Sequence, residues 1–265
     1  MSAALTPNQR RALCTLVEIW PNHNVVLIGA GALGLHLPQD DRVTHDLDLT
    51  VAANVGDATA ALRNRGFKRD ARQEHRWTAP GAVRLDILPI TPEDIARGTL
   101  VWPESGHVMG VRCCDLVFSH TLVRKLDSAH SIDVATLPVI VLLKMEAWLD
   151  RPQERGQDLR DIGYVLSEYL PSDAERHWVD SQLRGVEFDD QGALALGHDL
   201  DAIAKAHHRS IVQRFFEHFA DTGTHHFERL ASAGNTGGRD RRAAAAERLA
   251  LLRRGLGLPA TSRDA

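Results

Sequence analysis

The stretch Arg42-Val43-Thr44-His45-Asp46-Leu47-Asp48-Leu49 decides how the rest of the chain is read. From Asp46 to Val51 acidic and apolar residues alternate with a period of two, which predicts a strand with two chemically different faces. Side chains two apart on a strand leave the same face, so Asp46 and Asp48 stand side by side while Leu47 and Leu49 enter a core. Two carboxylates that close repel one another unless a cation lies between them. Hard oxygen donors in this pattern suit Mg²⁺ or Mn²⁺, which proteins usually hold with a few carboxylates plus substrate phosphates. The plainer reading of D-x-D is an edge strand with a solvated acidic face, so the pair needs support from elsewhere. Arg42 and Thr44 either order the loop before the strand or contact substrate, and ordering is the simpler role.

Support comes from both sides. Upstream, Asn24 to Ile28 is a short β-branched run ending at Gly29-Ala30-Gly31, after which Gly31 to Leu37 turns back as a short helix. Small residues there let backbone N–H groups approach a phosphate, helped by the helix N-terminus. Gly29, Gly31 and Gly34 also spell the dinucleotide fingerprint, with Asp46 and Asp48 near the spacing its acidic residue requires. Pro38 to Arg42 leaves only about two turns of helix in between, however, and dinucleotide chemistry has no use for a paired D-x-D. Downstream, Val83 to Leu88 is a strand, stopped by Pro89, with Asp86 as the one acid in an otherwise apolar stretch. An isolated carboxylate in that setting is costly unless it is paired or binds metal. If the two strands are neighbours, Asp86 completes a triad able to hold two metals, one at the attacking hydroxyl and one at the triphosphate.

The remaining elements frame this site. Thr6-Pro7-Asn8-Gln9 spells a helix N-terminus, with Leu13, Leu16, Val17 and Trp20 as its apolar face. Thr91-Pro92-Glu93-Asp94 opens another helix in the same way, and Asp57 to Arg65 reads as a third. After Pro138 the character changes: Val139 to Leu149 and Asp158 to Leu170 read as helices, and Ile211, Phe215, Phe216 and Phe219 form a later core face. The expected organisation is α+β, a mixed sheet with flanking helices over residues 1–137, then a helical domain over 138–230. A linker and basic tail follow over 231–265, helical or disordered, in which Arg239 to Leu256 reads as a basic amphipathic helix carrying Leu249, Leu252 and Leu256; a solvated tail is its simpler role and an RNA or partner contact the other. The histidine pairs His207-His208 and His225-His226 read as surface residues, and Cys113-Cys114 as packing.

Composition narrows the class. A formal net charge of −4 supplies no global basic field for non-specific nucleic-acid binding. Three cysteines without regular spacing give neither a disulfide framework nor a zinc signature. No leader-like segment is read at the start, and no uncharged apolar run approaches the ~20 residues that span a bilayer. The expectation is a soluble, cytoplasmic protein with no membrane partner.

Glycine turn, D-x-D strand and a third acid on a later strand, in that order, resemble the nucleotidyltransferase superfamily related to polymerase β. The G-A-G-A-L turn at Gly29 to Leu33, His36 and R-x-T-x-D-L-D-L resemble more narrowly the AbiEii-like nucleotidyltransferases, which include toxins of type IV toxin–antitoxin systems. Leu143-Lys144-Met145-Glu146-Ala147, Arg151 and Gln157-Asp158-Leu159-Arg160-Asp161-Ile162 are similar to that family's helical pattern. The resemblance implies a nucleotidyltransferase fold and metal binding at Asp46, Asp48 and Asp86. It also implies nucleotide phosphate contacts at Gly29, Ala30, Gly31 and Lys144, and a supporting role for Asp158. Two positions depart from the pattern: Ala30-Gly31 bring no side-chain hydroxyl to the phosphates, and Gln157 stands where a lysine is usual. The activity implied is metal-dependent transfer of a nucleoside monophosphate from an NTP to a hydroxyl on a tRNA end, a protein or a small molecule, with a cognate antitoxin as partner. Two rivals remain: a weakly active or inactive nucleotide-binding or antitoxin-interacting protein of the same fold, and a dinucleotide-dependent oxidoreductase.

Overall fold

The computed structural model describes residues 5–37, 44, 46–169 and 185–259. Arg42 and His45 lie outside them. Two compact units divide at 140/141, Met1–Ile140 and Val141–Ala265.

The first unit is built on a mixed seven-stranded sheet. In chain order its elements are α1 (Pro7–Ile19), β1 (Val25–Ile28), α2 (Gly29–His36), β2 (Asp46–Ala52), α3 (Val55–Asn64), β3 (Lys68–Arg69), β4 (Arg76–Ala79), β5 (Val83–Ile90) and α4 (Pro92–Arg97). A separate hairpin of β6 (Thr99–Val101) and β7 (Val108–Gly110) follows, then β8 (Thr121–Lys125) and β9 (Ser131–Ala135). Sheet order is β3-β4-β5-β2-β1-β9-β8. The alternation read in β2 sorts the two faces: Leu47 and Leu49 join Leu27, Leu85 and Ile87 in the core at 1% exposure or less. Asp46, Asp48 and Asp86 leave the other face half-buried.

The helix starts form as their letters dictate. Thr6 accepts the Gln9 N–H and Gln9 returns its side-chain oxygen to the Thr6 N–H, a reciprocal cap that satisfies two otherwise orphaned donors. Thr91 and Asp94 repeat it at α4. Pro89, expected to stop β5, does not. The N–H of Ile87 points toward the β4 side, onto the His75 carbonyl, so position 89 points its absent donor the same way, where β4 pairs no further than Asp86. The proline removes no ladder bond, and β5 stays paired with β2 through Ile90.

The second unit is helical: α5 (Leu137–Asp150, which the boundary crosses), α6 (Gly156–Glu168), α7 (Phe188–Ile203), α8 (Ala206–Glu217), α9 (His225–Ala231) and α10 (Arg241–Gly255). Trp148 sits at its aromatic centre, with Phe215 and Phe219 ring centroids both 5.5 Å away. Two sequence expectations are corrected. His208 is fully buried, because its Nδ1 accepts the Lys205 N–H and caps α8. The helix expected as a solvated tail is core: α10 buries Ala244, Leu249, Leu251 and Leu252. It crosses α7 backbone to backbone, since a Cβ on Gly197 would lie 2.5 Å from the Leu252 carbonyl oxygen. It also carries Arg248, 3% exposed, whose Nε donates to Asp190 at 2.9 Å, while Arg239 adds a fork at 2.6 and 2.7 Å. The helix itself was read from its leucines, but its burial was not, because alanine, glycine and a paired arginine share the buried stripe with Leu249, Leu251 and Leu252.

Candidate active site

Sheet register assembles the carboxylates. β2 runs parallel to β5 with Asp48 opposite Asp86, and Asp46 opposite Arg84. Residues in register on neighbouring strands, about 4.8 Å apart, share a face, so all three acids stand on one patch. β1 runs antiparallel to β2 with Ile28 opposite Asp48. The next residue, Gly29, therefore starts α2 beside that carboxylate.

Only glycine fits there. Gly29 has φ +65, and a Cβ on it would lie 2.2 Å from Asp48 Oδ2. The glycines are thus the first turn of α2 rather than a loop before it, the helix beginning two residues earlier than its sequence suggests. Among the described residues no side chain caps that turn. Its leading N–H groups and the positive end of the helix dipole stand beside the acids. Gly31 has a packing reason as well: a Cβ there would press on Leu47 at 3.1 Å.

Two arginines that the sequence reading passed over complete the patch. Arg76 on β4 donates Nε and Nη2 to the two oxygens of Asp86, each at 2.8 Å. Arg84 on β5 forks onto Asp46 at 2.6 and 2.7 Å. The hydrogen bonds to Asp86 hold the Arg76 guanidinium above its ordinary pKa, against the opposing effect of burial. Each outer acid is therefore neutralised by a bidentate guanidinium, and the three carboxylates are not gathered within 4.8 Å of one another. The available signal for Arg84 was its place two residues before Asp86 on one strand; Arg76 becomes visible only through the β4–β5 register.

Thr44 is tied by its backbone, its carbonyl accepting the Gln9 side-chain amide at 3.2 Å, which is an ordering contact. His36 packs with Nε2 2.7 Å from the Ala135 carbonyl oxygen, and burial lowers its pKa.

The second unit carries its own polar cluster. Lys144, 6% exposed, neither snorkels to the surface nor stands alone. Its amine lies 2.9 Å from Asp158 and 2.6 Å from Asp161, one turn apart along α6. Asp158 thus supports the lysine directly. Asp161 was the partner not singled out, although its i+3 spacing from Asp158 placed it on the same helix face.

Antiparallel pairing of β1 with β2 overturns the oxidoreductase reading, because a dinucleotide fold joins those strands in parallel across its glycine turn. That removes one of the two rivals and leaves the nucleotidyltransferase fold standing. The chain belongs to the family described as nucleotidyl transferase AbiEii toxin, type IV toxin–antitoxin system, whose model matches residues 11–233. No curated protein sequence matches it. Among solved structures it is similar to an antigenic nucleotidyltransferase-like protein from Paracoccidioides brasiliensis, at 16% identity and TM-score 0.39, over 60% of this chain and 75% of that one. The antibiotic-resistance factor ANT(2'')-Ia matches at 12% identity and TM-score 0.40, over 80% and 96%. JHP933 from Helicobacter pylori matches at 14% and 0.39, over 95% and 93%. Among the described residues no helix is long and apolar enough to cross a membrane.

Proposed function

We propose that this chain moves a nucleoside monophosphate from an NTP to an acceptor hydroxyl at the Asp46–Asp48–Asp86 patch, as the toxin of a toxin–antitoxin pair acting in the cytoplasm. The observation that carries the reading is the register of Asp48 with Asp86 on adjacent parallel strands, with Gly29 packed against Asp48. The donor set fits a hard divalent ion: three carboxylates on one face, beside a helix start that no side chain among the described residues caps. Asp46, Asp48 and Asp86 would hold Mg²⁺ or Mn²⁺, which when bound polarises the phosphate and lowers the pKa of the acceptor hydroxyl.

This chain's residues bind and position. The N–H groups of Gly29, Ala30 and Gly31 receive phosphate oxygens at the α2 start, backbone donors standing in for the missing side-chain hydroxyl. Lys144, which the resemblance assigns to the nucleotide phosphates, is held by Asp158 and Asp161. The acceptor oxygen attacks the α-phosphorus, the bond to the β-phosphate oxygen breaks, pyrophosphate leaves, and Asp86 accepts the hydroxyl proton. Arg76 must release Asp86 for this to happen, so the guanidinium forks are resting partners of the acids. Arg42 and Thr44 are assigned to ordering the approach to β2 and lining the nucleotide site. The acceptor class proposed is an RNA end, with a protein side chain or small molecule as outcomes of the test.

The test is incubation of the chain with each labelled NTP, Mg²⁺ or Mn²⁺, and total RNA or lysate. Label should enter a macromolecular acceptor with the parent and not with Asp46→Asn or Asp48→Asn. The altered turn and the arginine-held acids favour a second reading, a nucleotide-binding protein without transfer. That reading wins if NTP and metal raise the melting temperature while no acceptor is labelled.

A further inference from the structure

At the opposite edge of the sheet, α1 faces the turn between β8 and β9 and brings together a thiol, a carboxylate and an imidazole. Cys14 and Glu18 lie one turn apart on α1, and Asp127 and His130 lie in the turn. Cys14 Sγ donates to Asp127 Oδ2 at 3.3 Å. His130 Nδ1 is 3.0 Å from each Asp127 oxygen. The three ligand atoms of Cys14, Asp127 and His130 lie within 4.8 Å of one another. On its other side, His130 Nε2 faces Glu18 Oε1 at 3.5 Å.

We propose that Cys14, Asp127 and His130 bind a divalent transition metal of the zinc type, with Glu18 orienting the histidine. Bond lengths of roughly 2.0–2.3 Å to a tetrahedral ion place its ligand atoms roughly 3.3–3.8 Å apart. The thiol–carboxylate spacing already matches, and the imidazole–carboxylate spacing needs to open by a few tenths of an ångström. A metal-binding histidine commonly gives its second ring nitrogen to a carboxylate, which fixes the tautomer and aims the first nitrogen at the ion. Glu18 is placed for that role. A thiol beside an imidazole selects a softer ion than the Mg²⁺ or Mn²⁺ suited to an all-carboxylate patch. Three protein ligands leave a fourth position for water, as in open zinc sites.

The electrostatics fit a cation. Asp127 is held well below the usual carboxylate range by the Ala129 N–H, His130 and the His130 N–H, so it is ionised at neutral pH. Burial and the bond to Asp127 push the Cys14 thiol up to about 11. Cys14 therefore keeps its proton until a metal displaces it to solvent. Arg10, a cation that also acts on Cys14, is anchored on the Leu126 carbonyl. The other two cysteines, Cys113 and Cys114, are buried and do not compete. This site is independent of the proposed transferase reaction.

The experiment is titration of metal-free protein with Co²⁺, reading the near-ultraviolet thiolate-to-cobalt absorption. One equivalent should develop the band in the parent and in the Asp46→Asn/Asp48→Asn variant, and Zn²⁺ should abolish it. Cys14→Ser and Cys14→Ala should lose the band while melting like the parent in EDTA. Glu18→Gln should keep the band and weaken Co²⁺ binding about 10- to 100-fold, the range seen for partners behind metal ligands. His130→Gln should weaken it at least as much. Absence of the band in the parent, its survival in both Cys14 variants, or unchanged affinity in His130→Gln overturns the proposal.

Discussion

Replacing Arg76 by glutamine tests whether the guanidinium forks compete with metal. Arg76 and Asp86 are joined by two 2.8 Å bonds, and their side chains are 29% and 22% exposed, so the pair is only partly screened. A fork of two charge-assisted hydrogen bonds in that setting is worth about 1–3 kcal/mol, above the ordinary surface pair. A metal that recruits Asp86 must overcome the same amount. Arg76→Gln removes it and removes a positive charge beside the site, so Mn²⁺ should bind about 5- to 150-fold more tightly. Without metal the variant should be less stable by about 1–3 kcal/mol, since Asp86 loses its partner beside Asp48. Calorimetric Mn²⁺ titration and urea unfolding in EDTA measure the two halves. A second substitution, Asp86→Asn, should cancel the gain in affinity. Mn²⁺ binding that is unchanged or weaker in Arg76→Gln would mean that the arginine does not compete, and the forks would be plain structural ion pairs.

Three other outcomes are expected. Gly29→Ala should lose at least about 1–3 kcal/mol in urea unfolding from the positive φ alone, with the clash against Asp48 adding to it; parent-like stability would mean that α2 shifts freely off β2. Lys144→Met strands Asp158 and Asp161 without their buried cation and should cost about 3–5 kcal/mol, much of it recovered when both acids are changed to asparagine. His36 has its pKa lowered from 6.5 in the folded chain, so below about pH 6.5 the unfolded chain binds the extra proton first and stability falls with pH. His36→Gln should flatten that acid slope in unfolding curves taken between about pH 7 and pH 5, and an unchanged slope would assign it to other groups.

What the letters revealed followed from local rules. The Thr6 and Thr91 caps, the Asp46-to-Val51 alternation and the Phe215 face each depend on residues within a turn or two of one another, and they stand in the structure as read except at Thr50, which is buried where the alternation would expose it. The patch needed one assumption beyond that, the pairing of β2 with β5. The forks needed a second, since Arg76 meets Asp86 only through the β4–β5 register. Pro89 misled because a proline interrupts a strand only where its missing donor had a partner, and that is set by the neighbouring strand. The apolar face of α10 was legible in Leu249, Leu252 and Leu256, but not what covers it, because Gly197 and Gly255 let two backbones touch and that depends on a helix far away in the chain.

Asp190 has a consequence for how such chains can change over generations. It lies inside the stretch that matches the family model, whereas Arg239 and Arg248 lie beyond its end at residue 233. A carboxylate at 1% exposure is held ionised by both guanidiniums, and losing the pair of them leaves an unpaired buried charge at a cost of about 3–5 kcal/mol. The three positions therefore form one heritable unit that straddles the edge of the matched stretch. A descendant that rewrites both arginines and keeps the acid at position 190 carries that cost, a large share of the stability of an ordinary domain. Drift in the last helix is held to the pace of a residue some fifty positions upstream, even though that helix lies outside the matched stretch.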